Sequence, residues 1–275
     1  MDGKVALVTG SASGIGRALT GRLAASGHRL IATDVDEAGL ARAQEDDGWP
    51  AASVATVGLD VRDAAAWERA VAACVERYGR IDLLFNVAGY LRPGFAHEAS
   101  PEEVARHVDV NLKGTIFGVQ AAARRMVAQR SGHIVNIASL AGIAPVPGLC
   151  LYSASKFGVR GFSLAAGIEL RRHDVFVTVV CPDAVETPML ELQEDYDEAA
   201  LTFSGSAPLT TDDVVGAIVE RVLPKRPVEF VLPESRGRLA RLAGALPAIA
   251  ALIGGPLEKR GLKAQERRKR ARERA

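Results

Sequence analysis

Seven short apolar runs, rich in β-branched residues, recur along the chain with helix-length amphipathic stretches between them. The runs are KVALVT (4–9), RLIATD (29–34), SVATVGL (53–59), DLLFNV (82–87), GHIVNIA (132–138), VFVTVVC (175–181) and VEFVLP (228–233). Helical patterns fill roughly 14–26, 36–46, 63–79, 100–129, 152–172 and 210–222. Such alternation folds as repeated βαβ units, so the sequence predicts an α/β architecture with a doubly wound seven-stranded parallel sheet. Runs that are apolar on both faces, such as VFVTVV, suit strands covered by helices on each side. Ser100-Pro101-Glu102-Glu103 marks a helix start: a serine cap, proline at the first helical position, and Glu103 placed to close a capping box.

Ligands of doubly wound sheets bind beyond the carboxyl ends of the strands, so the chemically informative residues should follow the runs. They do. The first run ends in TGSASGIGRA, with Gly10, Gly14 and Gly16 between strand and helix. Glycines there let a pyrophosphate approach the backbone, and the following helix offers free N–H groups and its positive dipole end. No Gly-Lys-Ser/Thr follows, so this is not a P-loop. Asp34 ends the second run. A carboxylate at that place accepts hydrogen bonds from ribose hydroxyls and repels a 2′-phosphate, which favours NAD over NADP. Tyr152 and Lys156 lie four residues apart at the start of a helical pattern, so phenol and ammonium share one face.

Other chemistries find little support. Cys74, Cys150 and Cys181 are widely spaced among apolar residues, a reduced-compartment pattern and neither a disulfide framework nor a zinc site. The five histidines, His28, His97, His107, His133 and His173, are dispersed without metal or triad spacing and read as surface or helix-end residues. No metal site is expected. Ser139 lacks the G-x-S-x-G elbow of a hydrolase. The amino-terminal MDGKVALVTG enters its strand too early for a signal peptide, so a cytoplasmic protein is expected. The apolar stretch 239–255 contains Arg241 and Pro247 and is too short to span a bilayer comfortably.

TGSASGIG, NVAG (86–89), VNLKGT (110–115), NIAS (136–139) and YSASK (152–156) stand in the order and spacing of the short-chain dehydrogenase/reductase family, which the chain resembles over about residues 4–232. The resemblance implies a Rossmann fold, with residues 1–233 as the catalytic domain and 234–275 as an extension, an apolar helical stretch followed by a basic tail. It implies a general acid/base role for Tyr152. Lys156 would lower the phenol pKa and bind nicotinamide ribose, Ser139 would orient the substrate carbonyl, and Asn111 would hold a water in a proton relay. The implied dinucleotide site comprises Gly10, Ser13, Gly14, Ile15, Gly16, Asp34, Asp60, Val61, Asn86, Ala88, Gly89, Tyr152, Lys156, Pro182 and Thr187. Dimers or tetramers, with a homotetramer as the family pattern, would form through the long helices of 100–129 and 152–172.

Elementary electrostatics makes the Tyr152–Lys156 pair plausible. Bringing a phenol from about 10 to near 7 takes roughly 4 kcal/mol. An ammonium 4 to 5 Å away, at an effective dielectric of about 20, supplies about 3 to 4 kcal/mol.

The chain departs from the family at two positions, Val87 in place of an asparagine and Asp183 in place of the glycine after the sixth strand. Aspartate tolerates left-handed turns, so the second turn can survive. The segment 190–208 occupies the variable substrate lid. Leu190, Leu192, Leu201 and Phe203 predict an apolar inner face, and Glu186, Glu191, Glu194, Asp195, Asp197 and Glu198 an acidic outer one, suited to a hydrophobic rather than an anionic substrate. Residues 256–275 carry nine Lys/Arg against three Asp/Glu. This run reads as a solvated tail, with peripheral docking on an anionic membrane as the alternative. Without aromatic stacking residues it is not expected to bind nucleic acid. The expected function is NAD(H)-dependent hydride transfer between nicotinamide and a hydrophobic secondary alcohol or ketone. A catalytically weak dinucleotide-binding scaffold or redox sensor, and a lyase or epimerase on the same fold, remain as alternatives.

Overall fold

The computed structural model describes residues 3–205 and 207–272. Positions 1–2 of the amino-terminal reading and 273–275 of the basic tail therefore lie outside the described residues. In chain order the elements are β1 (Val5–Thr9), α1 (Gly14–Ala25), β2 (Arg29–Asp34), α2 (Glu37–Asp46), β3 (Val54–Gly58), α3 (Ala64–Tyr78), β4 (Leu83–Asn86) and α4 (Pro101–His107). A π-helical turn, Val108–Lys113, joins α4 to α5 (Gly114–Gln129), followed by β5 (Gly132–Ile137), α6 (Cys150–Leu170), β6 (Val175–Pro182) and α7 (Pro188–Gln193). Then come α8 (Thr211–Ala217), a second π turn (Ile218–Val222), α9 (Leu223–Lys225), β7 (Glu229–Leu232), α10 (Glu234–Ala245) and α11 (Pro247–Arg272).

The seven strands form one sheet in the order β3-β2-β1-β4-β5-β6-β7, all pairs parallel. Strand β1 shows why the runs are apolar throughout. Its Val5 and Leu7 pack on one face with Trp67 and Val71 of α3 and Met126 of α5, while Ala6 and Val8 pack on the other with Leu19 of α1 and Leu40 of α2. The order reverses between β1 and β4, and a ligand crevice belongs at that point, beyond the strand ends. Thr9 ties the two ends together there: its Oγ1 accepts hydrogen bonds from the N–H groups of Val87 and Ala88, both at 3.0 Å. Val87, one of the two departures, packs against the core on the α1 face and loses nothing there.

Ser100 caps α4 as expected, accepting from the Glu103 N–H at 3.2 Å. The reciprocal half of the box is not made, because the Glu103 carboxylate accepts from the Tyr90 hydroxyl at 2.9 Å and from Arg92 at 3.2 Å. The complete capping box belongs to α8, between Thr210 and Asp213.

The histidine reading needs correction. His28 and His133 are buried, whereas His107, also buried, is a helix-end residue that closes α4. His133 Nε2 lies 2.8 Å from Thr178 Oγ1, whose own proton goes to the Pro227 carbonyl, so Nε2 carries the hydrogen. Burial pulls His133 down to about 3. The tail reading also changes. The basic run is helical through Arg272 and lies on its own chain, as described below. Among the described residues no helix is long and apolar enough to cross a membrane.

Candidate active site

At the β1–β4 divide, beyond the strand ends, lies a cavity of about 1270 Å³. That exceeds the roughly 300–1,000 Å³ of a site for one drug-sized ligand and leaves space for a long cofactor with a substrate beside it. One end is built by the glycine turn. Gly10 has φ of 71°, and a Cβ there would sit 3.1 Å from the Ala88 backbone; a Cβ on Gly16 would run into the Gly10 carbonyl. The bare backbone of Gly10, Ser13, Gly14, Ile15 and Gly16 thus forms the cavity floor where α1 begins. Asp34 fixes this turn: Oδ2 accepts from the Ala12 N–H at 2.9 Å and Oδ1 from the Asp36 N–H at 3.0 Å. It does not cap α2, a role taken by Asp36, which accepts from Gly39 at 2.9 Å.

Two cations near this end are already engaged. Arg17 turns away to Asp47 at 2.6 Å and Asp46 at 3.3 Å. Arg62 lines the cavity with its guanidinium held by Asp60, the closest contact being 2.6 Å. Val61 and the exposed Val35 flank the same region; Val35 carries no sequence signal apart from its place after Asp34. Ala88, Gly89, Pro182 and Thr187 line the middle of the cleft. A bare, donor-rich turn, a carboxylate at the end of β2 and a long cleft together fit an adenine dinucleotide.

Asn86 and Asn111 are not on the cavity wall. Asn86, expected beside the adenine ribose, is buried between β4 and β5, where its Nδ2 donates to Asn136 Oδ1 at 2.8 Å and ties the two strands. Asn111 sits in the π turn, fully buried. Its Oδ1 accepts from the Tyr90 N–H at 2.7 Å, and its Nδ2 donates to the Tyr90 carbonyl and to Ser155 Oγ at 2.8 and 2.9 Å. Both amide hydrogens are committed, so this side chain can hold a water only through the second lone pair of Oδ1. A Cβ on Gly89 would lie 3.5 Å from that oxygen and 3.7 Å from Lys156 Nζ, in ordinary contact with both.

At the other end, the first turns of α6 carry Tyr152 and Lys156. Ser139, just past the end of β5, accepts from the Ala141 N–H at 3.1 Å, and its hydroxyl acts on the Tyr152 phenol, drawing its pKa down. Lys156 Nζ donates to the Ile137 carbonyl at 2.9 Å and lies 5.6 Å from the centre of the Tyr152 ring. Burial dominates both groups. It pushes the phenol up to about 12, opposed by the Ser139 hydrogen bond, and pulls the ammonium down to about 8. Cys181 lies behind the pair, and its thiol, also raised to about 12 by burial, brings no charge.

Around Tyr152 the walls are apolar. Leu91, Ala141, Leu149, Leu190 and Phe203 cluster with it, and Val146 and Met189 pack against them. Leu192, expected on the inner face of the lid, points outward instead, 44% exposed. Asp183 requires no left-handed turn, since its φ is not positive. Its carboxylate pairs with Arg236 Nε of α10 at 2.8 Å, and its N–H donates to the Leu232 carbonyl at 2.8 Å. The aspartate thus adds no uncompensated charge, and it ties α10 to the end of β6. Sequence spacing cannot reveal that partner, 53 residues away.

Comparisons with known proteins agree with this geometry. The short chain dehydrogenase family model matches residues 4–197. The 3-oxoacyl-[acyl-carrier-protein] reductase FabG of Thermotoga maritima is 39% identical over 204 residues, 74% of this chain and 82% of that protein. A short chain dehydrogenase/reductase from Burkholderia phymatum, solved in complex with NAD, superposes with a TM-score of 0.82 at 30% identity, covering 90% of this chain and 95% of that one. A variant of the actinorhodin polyketide ketoreductase, solved with NADPH, gives 0.76 at 31% identity, covering 84% and 95%. With the glycine turn, the switch point and the tyrosine–lysine pair all inside a family match that spans most of the chain, this protein belongs to the short-chain dehydrogenase family.

Proposed function

We propose that the protein reduces a hydrophobic ketone to a secondary alcohol, and catalyses the reverse, with NAD(H) as its coenzyme. The observation that carries this reading is Tyr152, with Ser139 and Lys156 beside it on the lining of the apolar end of a cleft whose other end holds the glycine turn and Asp34. When bound, the dinucleotide supplies the hydride for reduction or accepts it in oxidation.

The residues of this chain handle the proton. With its value raised to about 12, the phenol is protonated at neutral pH, the form needed to give a proton to a carbonyl oxygen that has gained negative charge. Ser139 donates a hydrogen bond to the same oxygen and stabilises that charge. The Lys156 ammonium then faces the phenolate left behind. Asn111 acts by fixing Tyr90 and Ser155 at the back of the site. The apolar walls favour an uncharged substrate, and a scaffold without turnover would have little use for a buried ammonium beside a buried phenol. NAD is favoured over NADP by the Asp34 carboxylate and by the engagement of the nearby Arg17 and Arg62 with acids.

A homotetramer in the cytoplasm is the accompanying reading. Val104 on α4, Val108 in the π turn, and Phe157 and Ile168 on α6 are exposed apolar residues on the helices expected at subunit contacts, and Ile168 is 77% exposed. Mass photometry tests it, and a monomer would refute it. The activity is tested by a spectrophotometric screen of ketones and secondary alcohols against both coenzymes. Turnover with NAD(H), lost in Tyr152→Phe, is expected; turnover that survives in the phenylalanine variant would overturn the proposed chemistry.

A further inference from the structure

The acidic segment 186–198 and the basic tail, read separately from the sequence, meet in the fold. Arg268 of α11 spans Glu186 at 2.7 Å and Glu194 at 2.6 Å. Arg272 contacts Asp195 at 2.7 Å and Glu194 at 3.6 Å, and Lys269 contacts Asp197 at 3.8 Å. Glu194 is almost wholly buried beneath these cations, its side chain 4% exposed. The carboxylates expected to form an outer acidic face are therefore largely neutralised by the chain itself. The substrate preference proposed above therefore rests on the apolar lining and not on an acidic outer face.

The contact is more than ionic. Gln265, 1% exposed, donates its amide to the backbone carbonyls of Gln193 and Tyr196, at 2.8 and 2.7 Å, and to that of Glu194 at 3.1 Å. Gln193 is the last residue of α7, and Glu194 and Tyr196 belong to the turn that follows, so the amide adds to the backbone bonds that the Gln193 and Tyr196 carbonyls accept from the Tyr196 and Ala199 N–H groups. Gly261 packs against the Ala200 carbonyl with no room for a side chain. Ala264 packs on the same apolar cluster that contains Tyr152, Leu190 and Phe203. About two turns before Ala264, Leu257 lines the cavity directly.

We propose that α11 is a clasp for the substrate side of the site: Gln265 and Arg268 are positioning residues that hold segment 188–204 against the chamber around Tyr152, and so set how tightly substrate is bound. The proposal rests on reading that chamber as the substrate site. Substrate contacts Leu190 and its neighbours, whereas Gln265 and Arg268 act through them, so their loss should raise KM and leave the dinucleotide end of the cleft untouched. Buried hydrogen bonds and a doubly bonded guanidinium keep the lid closed without substrate, whereas a lid held only by substrate would be open in the free chain.

Hydrogen exchange of peptides covering 190–204 in the full-length protein tests the clasp independently of any activity. Arg268→Ala and Gln265→Ala should each speed exchange there by about ten-fold, while Arg270→Ala, which breaks only an exposed pair with Glu266 on its own helix, should leave it unchanged. In the same variants KM for the ketone should rise about five- to ten-fold with the dinucleotide Kd within two-fold of the parent, and Arg268→Lys should recover part of the loss. Unchanged exchange in both alanine variants would overturn the clasp, as would faster exchange without a change in KM. A parent protein that neither binds dinucleotide nor turns over a ketone would instead refute the proposed function, and the exchange data would still decide whether α11 holds the lid.

Discussion

Lys156→Met should yield a protein that is inactive yet more stable than the parent at neutral pH. Burial holds the Lys156 ammonium at about 8 instead of its ordinary 10.5. Each unit between folded and unfolded values is worth about 1.4 kcal/mol, so keeping the charge in the folded state at pH 7 costs about 3 kcal/mol. Methionine fills nearly the same volume without charge but leaves the Ile137 carbonyl without the 2.9 Å hydrogen bond that Lys156 gives it, a loss of roughly 1 to 2 kcal/mol. The balance favours the variant by about 1 to 2 kcal/mol at pH 7, or an increase in Tm of a few degrees for a chain of this size. The pH dependence carries the sharper test. A depressed amine costs stability fully below its folded value and stops costing above its unfolded one, so the penalty falls below about 1 kcal/mol by pH 10. The lost hydrogen bond remains, and the variant should then be equal to or less stable than the parent. Thermal melts of both proteins at pH 7 and pH 10 measure the change of sign. A variant less stable at pH 7, or a difference independent of pH, would refute the idea that the fold gives up stability to keep this charge in place.

Asp34→Ala with Val35→Arg should move coenzyme preference from NAD toward NADP by about ten- to a hundred-fold in kcat/KM, since a ribose acceptor is lost and a phosphate partner gained; unchanged preference would overturn the role given to Asp34. Gly16→Ala should abolish dinucleotide binding in a calorimetric titration and lower stability by more than about 2 kcal/mol, because its methyl group would run into the Gly10 carbonyl. His133, held near 3 by burial against an ordinary 6.5, must stay neutral to remain inside. Its folded value is the lower one, so the stability it contributes is present above pH 6.5 and is lost as pH falls toward 3, by up to about 1.4 kcal/mol per unit. His133→Gln, which keeps a donor for Thr178, should flatten the fall in Tm between pH 6 and pH 4; an unaltered acid slope would assign that loss to other groups.

The architecture is legible because a parallel sheet covered on both faces demands apolar residues at consecutive positions, and Val5 to Val8 display that demand directly. The two ends of the site are legible for a similar reason: Gly10 and Gly16 stand where no Cβ fits, and Tyr152 and Lys156 are joined by helical geometry within a single turn. The misread features depend on partners remote in sequence. Nothing near Arg268 indicates that it will meet Glu186 and Glu194, so its neighbourhood reads as a solvated charge run when it is in fact half of an ion-pair cluster. Glu103 has the spacing of a capping box, but the hydroxyl of Tyr90 competes for it and wins. His133 looks like a strand residue near the surface because its partner, Thr178, lies on the neighbouring strand. The effect of burial on Tyr152 is the part of the site least legible in the sequence. Coulomb attraction follows from the spacing of two residues, whereas desolvation depends on every wall of the chamber.

The central claim is hydride transfer to or from a carbon whose oxygen exchanges a proton with Tyr152. Isotope transfer tests it most directly: NAD⁺ and a secondary alcohol carrying deuterium on its carbinol carbon, with the mass of the reduced dinucleotide as the readout. The parent protein should place the deuterium on the nicotinamide, and Tyr152→Phe should do so more slowly by about 10³-fold. Unlabelled reduced dinucleotide, or a phenylalanine variant that transfers the label at the parent rate, would contradict the account.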